Sequence, residues 1–224
     1  MPESGLIVGC VVSAPFEENT YIAHLPGRTD CIVFDPGFDP DAIFEYLDEH
    51  GLTPAAIVCT HGHSDHIAGN AALKRRWPEC PLVIGVGDAE KLTNPELNLS
   101  AAFGVALLSP PADRTLVEGE LFSAAGMDFD VYEAPGHSCG HVVFLCRQSE
   151  PWQLLGGDVL FRGSVGRTDF PDGDFDALAS AIHEKLFTLP DDTIVLPGHG
   201  PKTTVGHEKR TNPFVGSPAG YRGS

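Results

Sequence analysis

Basic residues are scarce: the 224-residue chain has 14 Lys and Arg against 31 Asp and Glu, a formal net charge of −17. Proteins that neutralise phosphates carry a basic footprint, so nucleic acid is excluded as the expected partner. No apolar stretch approaches the roughly 20 residues needed to cross a bilayer, which excludes a spanning segment and a membrane partner. The start, Met1, Pro2, Glu3, lacks a basic leader, and its apolar stretch at 6–12 is short and runs into Ser13, Ala14 and Pro15. It reads as a first strand instead of an export signal, and the chain is expected in the cytoplasm. Cys10, Cys31, Cys59, Cys80, Cys139 and Cys146 include no C-x-x-C pair. They are expected to be small buried hydrophobes in a reducing compartment, not a disulfide framework. No low-complexity block, short repeat or linker divides the chain. A single domain over 1–212 is expected, with a Gly-, Pro- and Ser-rich tail at 213–224 that frays.

What is present reads as α/β. Strands are expected at 6–12, 21–24, 31–35, 56–59, 82–85, 116–117, 128–134, 142–146, 153–156 and 193–196, bounded by Gly, Pro and Asn turns. A helix is expected over 40–49 with Asp39 as N-cap, Pro40 in the first turn and Ile43, Phe44 and Leu47 on one face. Others are expected over 68–76, stopped by Trp77 and Pro78, and over 175–187, capped by Asp174. Residues 86–112 have weak periodicity and read as an insert over the fold, at the substrate entrance.

Residues 61–66 run His, Gly, His, Ser, Asp, His directly after the apolar residues 55–60. Imidazole and carboxylate are preferred ligands of zinc, iron and manganese, and pH-sensitive side chains have no packing reason to cluster. Three further groups repeat one pattern: His137 follows a strand through Pro135 and Gly136, Asp158 follows Gly156 and Gly157, and His199 follows Pro197 and Gly198. Strand ends opening into loops are where a rigid sheet can aim side chains into a site. Together with His61, His63, Asp65 and His66 they supply five imidazoles and two carboxylates, enough for two divalent metals with one carboxylate shared. Zinc is the expected metal, with iron and manganese accepted by the same ligand types.

This ordered set, H-x-H-x-D-H followed by Gly-His, Gly-Asp and a last Gly-His, resembles the signature of the metallo-β-lactamase fold superfamily across nearly the whole chain. The resemblance implies a four-layer αβ/βα sandwich with both metals at one edge. It implies one metal on His61, His63 and His137, another on Asp65, His66 and His199, and Asp158 bridging them, with Asp35 supporting from behind. Longer strings at 60–66, 134–138, 157–161 and 196–201 are similar to glyoxalase-II-type thioesterases, and 166–169 and 208–213 to their short bacterial members. The helical C-terminal domain that holds glutathione in the full-length enzyme is not expected here.

The implied activity is hydrolysis of a small-molecule thioester, S-lactoylglutathione or a related acyl-thiol. A metal-bridging hydroxide, generated by two metals about 3.5 Å apart, would attack the acyl carbon. Asp65 is the candidate to take the proton of the attacking water, and Arg167 stands where the family meets a glutathione carboxylate. A persulfide dioxygenase with one iron on His61, His137 and Asp158 is the alternative within the same fold. His24, His50, His183 and His207 are read as uninvolved, His141 as a surface or supporting histidine, and Cys139 as buried or structural.

Overall fold

The computed structural model describes residues 5–223. Strands β1 (Ile7–Ser13), β2 (Glu18–His24) and β3 (Asp30–Phe34) form an antiparallel meander. The same six-stranded sheet continues in parallel through β4 (Thr53–Cys59), β5 (Leu82–Gly85) and β6 (Arg114–Leu116). The change of direction follows the connections. Tight turns join the first three strands, whereas α1 (Pro40–Glu49) crosses from β3 to β4, and α2 (Ser64–Ile67) and α3 (Asn70–Arg76) cross from β4 to β5. Asp39 caps α1 by accepting from the Ala42 amide at 3.2 Å, with Pro40 in the first turn, as its sequence indicates.

The second sheet contains β7 (Leu121–Ala124), β8 (Met127–Glu133), β9 (Val142–Cys146) and β10 (Gln153–Gly157). A small hairpin, β11 (Leu160–Phe161) and β12 (Ser164–Val165), precedes α4 (Phe175–Glu184), which returns the chain to β13 (Ile194–Pro197). Then β14 (Thr203–Thr204) and α5 (Val205–Thr211) follow. Its order is β14-β13-β10-β9-β8-β7, and only β10 and β13, separated by α4, pair in parallel.

Strand alternation sorts the apolar residues into layers. Tyr21, Ala23, Ile32 and Phe34 face Phe129, Val131, Phe144 and Leu155 between the sheets. The Phe34 ring lies 5.4 Å from those of both Phe129 and Phe144, edge-on. Each such buried ring contributes about 1.5–3 kcal/mol relative to exposure. On the outer face of the first sheet, Ile22, Val33 and Ile57 meet Ile43 and Leu47 of α1 and Leu73 of α3. On that of the second, Val143, Leu145, Leu154 and Val195 meet Leu178 and Ile182 of α4 and Val205 of α5. The chain therefore forms the four-layer αβ/βα sandwich. Among the described residues no helix is long and apolar enough to cross a membrane.

Some expectations are corrected. The helix expected over 68–76 starts at Asn70 as α3, and the short α2 precedes it as a separate piece, because Gly69 lies against Pro36 and Gly37 and donates its amide to the Pro36 carbonyl at 2.7 Å. Helix α4 stops at Glu184 and continues as a separate 3-10 turn at Leu186–Thr188. Residues 213–221 pack against the fold. Asn212 is buried and receives the amides of Phe214 and Val215, Val215 enters the core, and Tyr221 stacks on His183 at 4.9 Å. Cys10 and Cys139 are exposed, unlike the other four cysteines, and all six are free thiols. The strands β7, β11, β12 and β14 are too short for a periodicity to register in the sequence.

Candidate metal centre

Four loops at one edge of the paired sheets bring every ligand candidate together. His61 and His63 leave β4, with His63 in the N-cap position of α2, and Asp65 and His66 lie in that short helix. His137 follows β8, Asp158 follows β10, and His199 follows β13. Gly157, with φ of +46°, turns the chain beneath Asp158 where a side chain would collide with Thr60 and His141.

The seven residues fall into two groups around one carboxylate. His63 Nδ1 lies 3.1 Å from His61 Nε2 and 2.9 Å from His137 Nε2. In the second group, Asp65 Oδ2 lies 3.3 Å from His199 Nε2 and 3.7 Å from His66 Nε2. Asp158 stands between them: Oδ2 is 3.4 Å from His137 Nε2 and 3.5 Å from His199 Nε2, and Oδ1 is 3.5 Å from His66 Nε2.

The partners behind each ring decide which nitrogen faces inward with a lone pair. Thr60 Oγ1 gives its hydrogen to Asp35 Oδ2 at 2.7 Å, so His61 Nδ1–H donates to Thr60 Oγ1 at 3.1 Å and leaves Nε2 bare. His137 Nδ1–H donates to the Arg167 carbonyl at 2.8 Å, His66 Nδ1–H to Asp35 Oδ2 at 3.2 Å, and His199 Nδ1–H to the Phe16 carbonyl at 3.0 Å. Their Nε2 lone pairs then converge on one another and on carboxylate oxygens. Acceptors crowded in this way repel unless a cation lies among them, and His66 Nε2 and Asp158 Oδ1 are buried with no hydrogen-bond partner. The donor set fits divalent metals: in each of the groups His61/His63/His137, His61/His66/Asp158 and Asp65/His66/His199 the ligand atoms lie within 4.8 Å of one another.

The electrostatics separate the groups. Burial, then the neighbouring imidazoles of His66 and His63, drives His61 well below the ordinary imidazole range. Burial, His137 and the Lys91 ammonium push His63 down to about 3. These rings stay neutral, the state a metal requires. In the other group burial opposes charge but the carboxylates prevail. Asp158 and Asp65 hold His66 well above its usual range, and the same two raise His199. Burial likewise pushes Asp65 and Asp158 up, yet His66 and its neighbours bring both below the usual carboxylate range.

Several residues support these side chains from behind: Asp35 as the resemblance implied, and Asp88 and Lys91, which sequence reasoning missed. Asp35 accepts the Thr60 amide at 2.6 Å as well as the Thr60 hydroxyl and His66, so its support from behind has a direct form. His141 is fully buried, not at the surface: its Nε2 accepts the Asp158 amide at 3.0 Å, and its ring stacks on His61 at 4.7 Å. Asp88, in the 86–112 segment, accepts the Gly62 amide at 2.8 Å and the Gly140 amide at 2.8 Å, and also the Ser138 hydroxyl. Buried Lys91 pairs with Asp88 at 3.2 Å and Asp172 at 2.6 Å and donates to Ser138. No sequence signal marks Asp88 and Lys91, whose partners at Gly62, Ser138, Gly140 and Asp172 lie tens of positions away.

Above the ligands opens a cavity of about 360 Å³ whose lining includes Asp65, Arg167, His199, Leu99 and Phe103. The last two place the 86–112 segment at the entrance. Arg167 is exposed and forms two 2.7 Å bonds to Asp169, with its guanidinium 4.4 Å from the Phe170 ring centre. Cys139, expected to be buried, is exposed, and burial with Asp88 and Asp172 raises its thiol against Lys91, which disfavours a nucleophilic thiolate.

Known proteins share both sequence and architecture. The chain is 37% identical over 203 residues to "Probable metallo-hydrolase YqgX" of Bacillus subtilis, covering 90% of this chain and 93% of that protein. It is 36% identical over 192 residues to hydroxyacylglutathione hydrolase GloC of Haemophilus influenzae, covering 83% and 87%. Among solved structures, the B3 metallo-beta-lactamase BLEG-1 superposes with a TM-score of 0.88 at 35% identity, covering 93% of this chain and 99% of that one. The di-iron-bound form of TTHA1623 superposes with a TM-score of 0.80 at 38% identity, covering 92% and 100%. With residues 14–199 matching the family and the ligand groups gathered at one sheet edge, the chain belongs to the metallo-beta-lactamase superfamily.

Proposed function

We propose that the chain is a dinuclear metal-dependent hydrolase that cleaves a thioester, S-lactoylglutathione or a related acyl-thiol. The observation that carries this is the position of Asp158, whose Oδ2 lies 3.4 Å from a nitrogen of one imidazole group and 3.5 Å from a nitrogen of the other. His61, His63 and His137 would hold one metal, Asp65, His66 and His199 the other, with Asp158 shared. Zinc suits this donor set, as do iron and manganese, and the di-iron form of TTHA1623 supports a pair of metals. When bound, two such cations polarise a carbonyl and bring the pKa of water near neutrality.

The chain's own residues do the rest. Asp65 is kept ionised and lines the cavity, so its carboxylate can take the proton of an attacking water. Beyond the ligand groups, the polar side chains on the cavity wall are Ser64, Ser164 and Arg167. None is a ready proton donor, which suits a thiolate leaving group better than an amine. Arg167 could reach a substrate carboxylate only by exchanging Asp169 for it. The similarity to GloC supports the thioester class. Six free thiols suit a reducing cytoplasm, and the acidic surface suits a small-molecule substrate better than nucleic acid.

The test is to count metals by mass spectrometry while assaying S-lactoylglutathione. Two metals per chain with turnover, and loss of one metal and most turnover in His66→Ala, are expected. A single iron, no thioester hydrolysis and oxygen consumption with glutathione persulfide would replace this reading with a dioxygenase.

A further inference from the structure

The cavity wall that faces the ligand groups is apolar and is assembled from separate excursions of the chain. Phe16 comes from the β1–β2 turn, Leu99 and Phe103 from the 86–112 segment, Phe161 and Val165 from the β11–β12 hairpin, and Phe170 from the loop after it. These rings are not covered by the fold: Phe103 is 65% exposed and Phe16 38%. Yet they support one another, Phe16 lying 5.6 Å from Phe103 and 5.7 Å from Phe38 between ring centres. A preformed aromatic shelf held open to water beside a polar site marks a place where something apolar binds.

Charge gives an independent second observation. The described lining contains no lysine, and its one cation, Arg167, is already neutralised by two bonds to Asp169 and laid flat on Phe170. A thiol carrier with two carboxylates finds no free cation here, whereas an uncharged one needs none. The volume, about 360 Å³, lies at the lower end of the roughly 300–1,000 Å³ typical of small-molecule sites. It suits one ring-bearing group.

We infer that the shelf receives the acyl part of the thioester, and that this part is apolar and aryl- or arylalkyl-sized, larger and less polar than lactoyl. The inference rests on the thioester reading and, within it, takes the related acyl-thiol in place of S-lactoylglutathione as the preferred substrate. The acyl carbon sits above Asp158 and His137, and the ring of the acyl group packs against the shelf formed by Phe16 and Phe103.

Two thioether analogues of N-acetylcysteamine thioesters, with a methylene between sulfur and carbonyl so that neither can be hydrolysed, test it by calorimetry on the zinc-loaded protein. One carries the phenylacetyl group and the other the lactoyl group. The phenylacetyl analogue is expected to bind at least about tenfold more tightly, equivalent to about 1.4 kcal/mol. Phe103→Ala, at an exposed position, should erase most of that preference while the Kd of the lactoyl analogue stays within twofold. Phe16→Ala serves as a second variant, and an unchanged thermal midpoint verifies that each folds. Equal affinity for the two analogues, or equal weakening of both by Phe103→Ala, would overturn the inference. Parallel kinetics with the true thioesters separate the two claims. Hydrolysis without acyl preference removes the shelf and keeps the thioesterase, and preference in binding without hydrolysis does the reverse.

Discussion

Replacing Asp35 by Asn should move a proton on a neighbouring ring. Asp35 Oδ1 accepts the Thr60 amide at 2.6 Å, and Oδ2 accepts both the Thr60 hydroxyl at 2.7 Å and His66 Nδ1–H at 3.2 Å. Its backbone is left-handed, with φ of +48°, a conformation that Asn tolerates, so the substitution adds no backbone penalty. The amide oxygen of Asn keeps the Thr60 amide, and its NH2 group then faces Thr60 and His66. The Thr60 hydroxyl can rotate, but His66 Nδ1 must become an acceptor. In the neutral ring that a metal requires, its proton transfers to Nε2, the nitrogen directed at Asp65 and Asp158. Hydrogen bonds to a charged acceptor are worth about 1.5–3 kcal/mol against 0.5–1.5 for neutral ones, so three of them should cost about 3 kcal/mol in metal-stripped protein. For a chain of this size each kcal/mol corresponds to about 2–4 °C, a fall in midpoint of about 6–12 °C. Zinc affinity of the His66 group should weaken by about 10–100-fold, as when an outer partner of a metal-binding histidine is lost. Calorimetry, chelator competition and nitrogen-15 spectra of the imidazoles read out the three quantities. An unchanged tautomer together with zinc affinity within twofold of wild type would refute the reasoning.

Two further perturbations address residues behind the site. Glu18 is fully buried with Oε1 unpartnered, and burial, reinforced by Asp35 and Asp65 and opposed by His66, lifts its carboxyl well above the ordinary range. The folded state therefore holds this proton more tightly than the unfolded chain, and stability falls as pH rises above the unfolded value near 4.5. Glu18→Gln should raise the thermal midpoint of metal-stripped protein at pH 7 and leave it unchanged at pH 4; equal shifts at both would contradict the assignment. His141→Phe keeps a ring against His61 but leaves the Asp158 amide without its acceptor. Urea unfolding should register a loss of about 1–3 kcal/mol, and a loss under about 0.5 kcal/mol would mean that the amide finds another partner.

The ligand cluster was legible because each member stands directly after a strand, and strands are marked by short apolar runs. His61, His137, Asp158 and His199 needed no tertiary information to be singled out, and the structure gathers them at one edge. Their supports were less visible. Asp88 is one more acidic residue in a weakly periodic segment until folding sets it against the Gly62 and Gly140 amides. His141 has its meaning only through the Asp158 amide, 17 positions away. The packing of residues 213–221 was hidden because Gly, Pro and Ser describe a backbone without regular structure, not one without contacts. Val215 is that segment's fully buried apolar residue, and Tyr221 packs beside it against the same core. Arg167 was legible as a basic residue near the site, but its pairing with Asp169 two positions on could be read only from the folded loop.

The segment 86–112 is anchored at its root and again at buried Asn98, whose carbonyl accepts the Ser64 amide at 2.9 Å. Asp88 and Lys91 tie its first turns to the loops carrying His63 and His137. Further along, Leu97, Phe103, Val105 and Leu108 stand exposed, and Phe103 with Leu99 lines the cavity. Changing Leu99 and Phe103, with buried Asn98 and Ser100 kept, would re-cut the cavity wall while the spacing of the imidazoles stayed as it is. A chain built this way can trade one substrate for another by altering a few side chains of a single stretch, with its reactive centre inherited unchanged.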